Sequence, residues 1–86
     1  MIQLENEIHW DGERLSVWAV TPKNRILCEI PRDTIHHIRL YSDAITREIA
    51  RDREEIIDRL RPYVIAKVAA ANGSSVRLQP SDLAEI

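Results

Sequence analysis

The chain has 86 residues, 44% apolar and 30% charged, with a formal net charge of −2. These values exclude a disordered chain of low hydrophobicity and a strongly basic nucleic-acid binder, and they fit one domain over 1–86. With no Phe, two Trp and two Tyr, the core must be built from Ile, Leu, Val and Ala, a thin core that self-association would help.

Residues 7–10 read as a first strand, followed by Asp11-Gly12, the favoured pair at the centre of a two-residue type I′ hairpin. Residues 14–20 read as a second strand. Leu15, Val17 and Ala19 fall on one face and Ser16, Trp18 and Val20 on the other. Residues 21–25 carry turn chemistry, with Pro22 presetting φ and Asn24 tolerating the left-handed region. The third strand is 26–30, with Ile26, Cys28 and Ile30 on one face.

Pro31 ends that strand at a position suited to begin a short helix over 32–38, in which Ile35 and Ile38 face the sheet. Ser42 is the expected N-cap of a long helix, with Asp43 in its first turn. Ile45, Ile49, Ile56, Leu60, Val64 and Val68 form its apolar stripe. Arg53 interrupts the stripe, which predicts either a half-buried residue with a carboxylate partner or one exposed at an interface. Pro62 predicts a kink or restart, and Asn72-Gly73 a stop. Residues 75–79 form a final strand with Val76 and Leu78 inward, and Ser81 opens a last turn. The order β-β-β-α-α-β implies an α+β fold: a small, mainly antiparallel sheet packed on one face by a short helix and a long kinked helix.

The candidate chemistry is sparse. Cys28 is the only cysteine, so no internal disulfide forms, and it sits among apolar neighbours that suit a buried small side chain rather than a thiolate. His36 and His37 are adjacent on a helix and point about 100° apart, which does not suit one ion. A thiol- or metal-dependent protein using Cys28 and the histidines is one alternative reading. No catalytic, metal or cofactor motif stands in the sequence. No basic-then-apolar leader opens the chain, and apolar runs are short (63–66 and 68–71), so the expected setting is cytoplasmic, with no membrane span.

Ten of the twelve basic residues are Arg, and Arg47, Arg51, Arg53 and Arg59 stand in one dense run of charge. The pairs Asp43–Arg47, Arg51–Glu55 and Glu55–Arg59 have the i, i+4 spacing of a salt-bridged solvent face. The sharper reading is an Arg-bearing surface for an acidic partner. Trp18 is either exposed on an open sheet face or, with the faces inverted, part of the core; Trp10 is a possible cross-strand partner. Together, Trp18, Arg47, Arg51, Arg53 and Arg59 make a candidate interaction surface. The leading expectation is a non-catalytic interaction or regulatory module that binds an unidentified protein or itself as a homodimer. Nucleic-acid binding through the arginines, with Trp18 stacking, is the alternative, and the net negative charge weighs against it.

The runs WDGERLSVWAV (Trp10–Val20), ILCEI (Ile26–Ile30), REEI (Arg53–Ile56) and VRLQPSDL (Val76–Leu83) resemble a family of short, mostly proteobacterial proteins classed as a domain of unknown function. The resemblance implies a hairpin, a Cys-bearing strand, a short and a long helix and a closing strand, in a bacterial cytoplasmic protein. It carries no activity. The chain departs from the pattern in lacking a Gly within 22–25, in the short 39–42 connection and in Pro62.

Overall fold

The structure, a computed structural model, describes residues 2–71 and 73–83. Three strands, β1 (Gln3–Trp10), β2 (Arg14–Val20) and β3 (Arg25–Pro31), form an antiparallel meander. A two-residue strand, β4 (Val76–Arg77), joins β3, giving the sheet order β1-β2-β3-β4. The α+β class and the element order are those expected. The sheet is mixed, because β4 runs parallel to β3.

β1 begins at Gln3 and not at residue 7. Leu4 pairs with Ala19 and Ile8 with Val17, so residues 5–7 bulge opposite the single residue Trp18. Asn6 occupies the place where alternation demands an apolar side chain, which hid the first half of the strand. The first hairpin also differs by one residue. The Asp11 amide bonds the Arg14 carbonyl at 3.3 Å, so Gly12 and Glu13 are the central residues. Gly12 has φ 94°, which suits the first central position of a type II′ turn. Asp11 serves as acceptor, its Oδ1 taking the Glu13 and Arg14 amides at 2.8 and 2.9 Å. In the second turn the Thr21 amide bonds the Asn24 carbonyl at 2.8 Å, around Pro22 and Lys23 as expected.

Strand alternation sets the core. Leu15, Val17 and Ala19 of β2 and Ile26, Cys28 and Ile30 of β3 are buried beneath the helices. The short helix α1 spans only Arg32–Ile35. Pro31 is its extended cap, one place earlier than expected. Ile38 is itself extended, so the helix cannot continue, yet Ile35 and Ile38 are both buried. A 3-10 turn at Arg39–Tyr41 then buries Tyr41.

The long helix starts later than Ser42 and breaks in a different place. Helix α2 covers Thr46–Arg51 and α3 covers Arg53–Ala70. At the start of α2, Glu48 reaches back to the Ile45 amide at 3.0 Å, which leaves Ser42 and Asp43 outside the helix and Ile45 exposed. The break falls at Asp52, with φ −102° and ψ 16°. Arg53 is thereby turned outward and donates to the Ala50 carbonyl at 2.7 Å, capping a group the break leaves free. Helix α3 runs on through Pro62, which lies with Asp58 on its exposed side. Ile49, Ile56, Leu60, Val64 and Val68 are buried as the stripe predicts, and Ile57 joins them.

Gly73, with φ 92°, is the left-handed stop expected there; Asn72 lies outside the described residues. After β4, the Leu78 amide bonds the Glu29 carbonyl at 2.8 Å, and Thr34 Oγ1 donates to the Leu78 carbonyl at 2.7 Å within the core. A final 3-10 turn at Pro80–Leu83 is tied to α3 through Asp82, whose Oδ2 accepts from Lys67 Nζ at 2.9 Å and from the Gln79 amide at 2.7 Å.

Candidate interaction surface

The helices cover one face of the sheet. The same alternation that buries Leu15 and Val17 sends Ser16, Trp18 and Val20 to the other face, beside Arg25, Leu27 and Glu29 of β3. Trp18 is 37% exposed and Val20 39%. Arg25 stacks on the indole, its guanidinium carbon 4.4 Å from the ring centroid. Glu5, next to the inward Leu4 and so on this side by strand alternation, grips the same guanidinium with two bonds, Nε–Oε2 at 2.8 Å and Nη2–Oε1 at 3.1 Å. At the other end of the face Glu29 takes Arg14 at 3.1 Å and Arg77 at 3.7 Å. The surface is therefore a small apolar centre framed by two ion-pair groups, in which two carboxylates meet three guanidiniums. Fork-shaped pairing and stacking hold Arg25 in one orientation.

Trp10 is not a partner of Trp18. It pairs with Leu15, faces the helical side and is half-buried, so the two indoles lie on opposite faces. Its Nε1 is buried with no hydrogen-bond partner among the described residues.

The four helix arginines do not join Trp18. Arg47 and Arg51 lie on α2 and Arg53 and Arg59 on α3, all exposed, with the sheet between α3 and Trp18. Of the expected i, i+4 pairs, Arg59–Glu55 forms, at 3.8 Å. Arg51 pairs instead with its neighbour Asp52, at 3.0 and 3.2 Å, where the helix breaks. The bond from Arg51 holds the Asp52 carboxyl below the usual carboxylate range, against the opposing effect of burial. Asp43, outside α2, cannot form a helical pair with Arg47.

The thiol and imidazoles are also placed apart. Burial pushes the Cys28 thiol up to about 11, so the thiolate is disfavoured. Cys28 faces the helices, whereas His9, opposite Ser16, is on the open side. His36 has both ring nitrogens engaged: Nδ1 bonds the Tyr41 carbonyl at 2.9 Å and Nε2 accepts from Arg32 Nε at 3.3 Å. His37 Nδ1 meets the Asp33 carbonyl at 3.0 Å. Among the described residues no three His, Cys, Asp or Glu side chains are gathered to hold a metal ion.

Sequence reasoning passed over Tyr41. Its hydroxyl donates to Glu55 and lies 3.3 Å from Asp52 Oδ2. Burial, then the Glu55 bond, push the phenol up to about 12. The only sequence signal was one tyrosine in a connection; its partners, on the far side of a helix break, gave none.

Comparison with known proteins finds no matching family model, no significant match among curated proteins and none among solved structures. No helix among the described residues is long and apolar enough to cross a membrane.

Proposed function

We propose that this protein is a small cytoplasmic, non-catalytic interaction module that docks a protein partner on the open sheet face around Trp18. The observation behind this is the position of that residue: an indole at the centre of an uncovered sheet, oriented by Arg25 and Glu5 and flanked by Val20 and Leu27. Indole is a strong interface anchor, because it offers a large rigid area at little entropic cost. An apolar centre within a polar rim matches the anatomy of protein interfaces. The charges that frame the face are of both signs and already paired with one another, which favours a partner of mixed polarity, a second copy included, over a polyanion.

The nucleic-acid alternative needs Trp18 and the arginines of α2 and α3 on one surface, and the sheet separates them. The thiol alternative needs an accessible thiolate, and Cys28 is buried with its ionisation suppressed.

The test is Trp18→Ala, read by capture of partners from nuclease-treated lysate and by sedimentation of the purified protein. Loss of a nuclease-resistant partner, or of self-association, with the native fold retained supports the proposal. Binding that disappears on nuclease treatment and weakens steeply with salt would favour phosphate contact instead.

A further inference from the structure

A second surface, on the helical side, has a different character. The connection between α1 and α2 carries Leu40, 64% exposed, and Ile45, 51% exposed, the two most exposed large apolar side chains among the described residues. Local geometry puts them there. Successive residues of a 3-10 turn point about 120° apart, so burying Tyr41 turns Leu40 outward. Ile45 is extended at the start of α2, and its buried neighbour Ala44 leaves it facing solvent.

The connection is held firmly. Arg32 donates to Thr46 Oγ1 at 2.8 Å, to the Ala44 carbonyl at 3.5 Å and to the Gly12 carbonyl at 3.4 Å, while His36 ties the Tyr41 carbonyl. Leu40 and Ile45 thus stand on a preorganised loop, and a partner bears little of the ordering cost.

Beside Leu40 lies a groove of about 290 Å³, floored by Tyr41 and Ala44. Its walls carry Asp43, Glu48, Asp52 and Glu55 against one cation, Arg51. Four carboxylates and one guanidinium make a formal charge of −3 for the lining. Arg51 is paired with Asp52, and Arg59, outside the lining, reaches Glu55 at 3.8 Å, which leaves Asp43 and Glu48 as the carboxylates with no ion pair among the described residues. Glu48 links the two features, since it lines the groove and binds the Ile45 amide.

We propose that this groove docks a cationic, apolar segment of a partner protein: an amphipathic stretch whose aliphatic side chains cover Leu40 and Ile45 while a lysine or arginine enters among the carboxylates. Charge complementarity selects this occupant. A second copy docking by the same groove would set one acidic wall against another, and a nucleic acid would bring phosphate to carboxylate. The surface is separate from the Trp18 face and does not depend on it.

The experiment is an amide NMR titration of the full chain with a synthetic amphipathic leucine–lysine peptide and its leucine–glutamate counterpart, at low and high salt. The expected result is saturable shifts confined to the 39–55 region, no response to the acidic peptide, and weaker binding at high salt. The Leu40→Ser, Ile45→Ser double variant should bind the basic peptide roughly tenfold more weakly or worse. Asp43→Lys, at an exposed position outside the helices, should weaken it as well, and serves if the double variant loses the native spectrum. Shifts centred on the sheet face, equal binding of the acidic peptide, no saturable binding, or unchanged affinity in a folded variant would overturn the proposal.

Discussion

At the scale of single residues, two buried or half-buried donors decide much of the local order. Arg32 gathers acceptors from the first hairpin, from α1, and from the 44–46 segment, using the planar fork that only a guanidinium provides. Arg32→Lys keeps the charge and loses most of those bonds. It should destabilise the fold by about 1–3 kcal/mol in urea unfolding. Tyr41 shares its hydroxyl between Glu55 and Asp52, and the neutral phenol is the form the fold favours. Its stabilising effect is fully present below the ordinary phenol value near 10 and is lost as pH rises toward about 12. Tyr41→Phe should cost about 1 kcal/mol at neutral pH and flatten the alkaline arm of the stability–pH curve. An unchanged alkaline slope in the variant would show that Tyr41 does not carry it.

At the scale of elements, alternation made β2 and β3 legible, because one face of each is wholly apolar and the turns between them have strong local chemistry. β1 was half hidden by its bulge, where Asn6 breaks the pattern. Arg53 marked a real fault in the helical stripe. Its physical meaning, a break at Asp52 that leaves the side chain exposed, is a matter of backbone geometry that the apolar stripe does not carry. Pro62 gave the stronger local signal but sits on the exposed side of α3, which continues unbroken through it. Trp18 was visible as a candidate from its strand. Which face it occupied was not, since that is set by where the helices pack. The closing turn offers a test of an element joint. Burial tends to raise the Asp82 carboxyl, but the Gln79 amide and Lys67 outweigh it, and the net pKa lies below the ordinary value. The joint therefore contributes stability above the normal carboxylate range, lost as pH falls below about 4. Asp82→Asn should lower stability at neutral pH and shrink that acid-side loss, as read from denaturation midpoints at several pH values.

At the scale of the whole molecule, one helical layer covers one face of a four-stranded sheet. Such a sheet can leave its other face to water, so an open face alone is ordinary. What distinguishes this one is the exposed indole held by Arg25 and Glu5 at its centre. The most direct measurement is parallel affinity capture from nuclease-treated lysate with the wild-type chain and Trp18→Ala as baits, each first shown to keep the native amide spectrum. A protein partner, or untagged chain, retained by the wild type and lost from the folded variant is the predicted result. The same proteins captured by both baits would contradict the docking role of Trp18. A variant that cannot fold would contradict its placement on an open face.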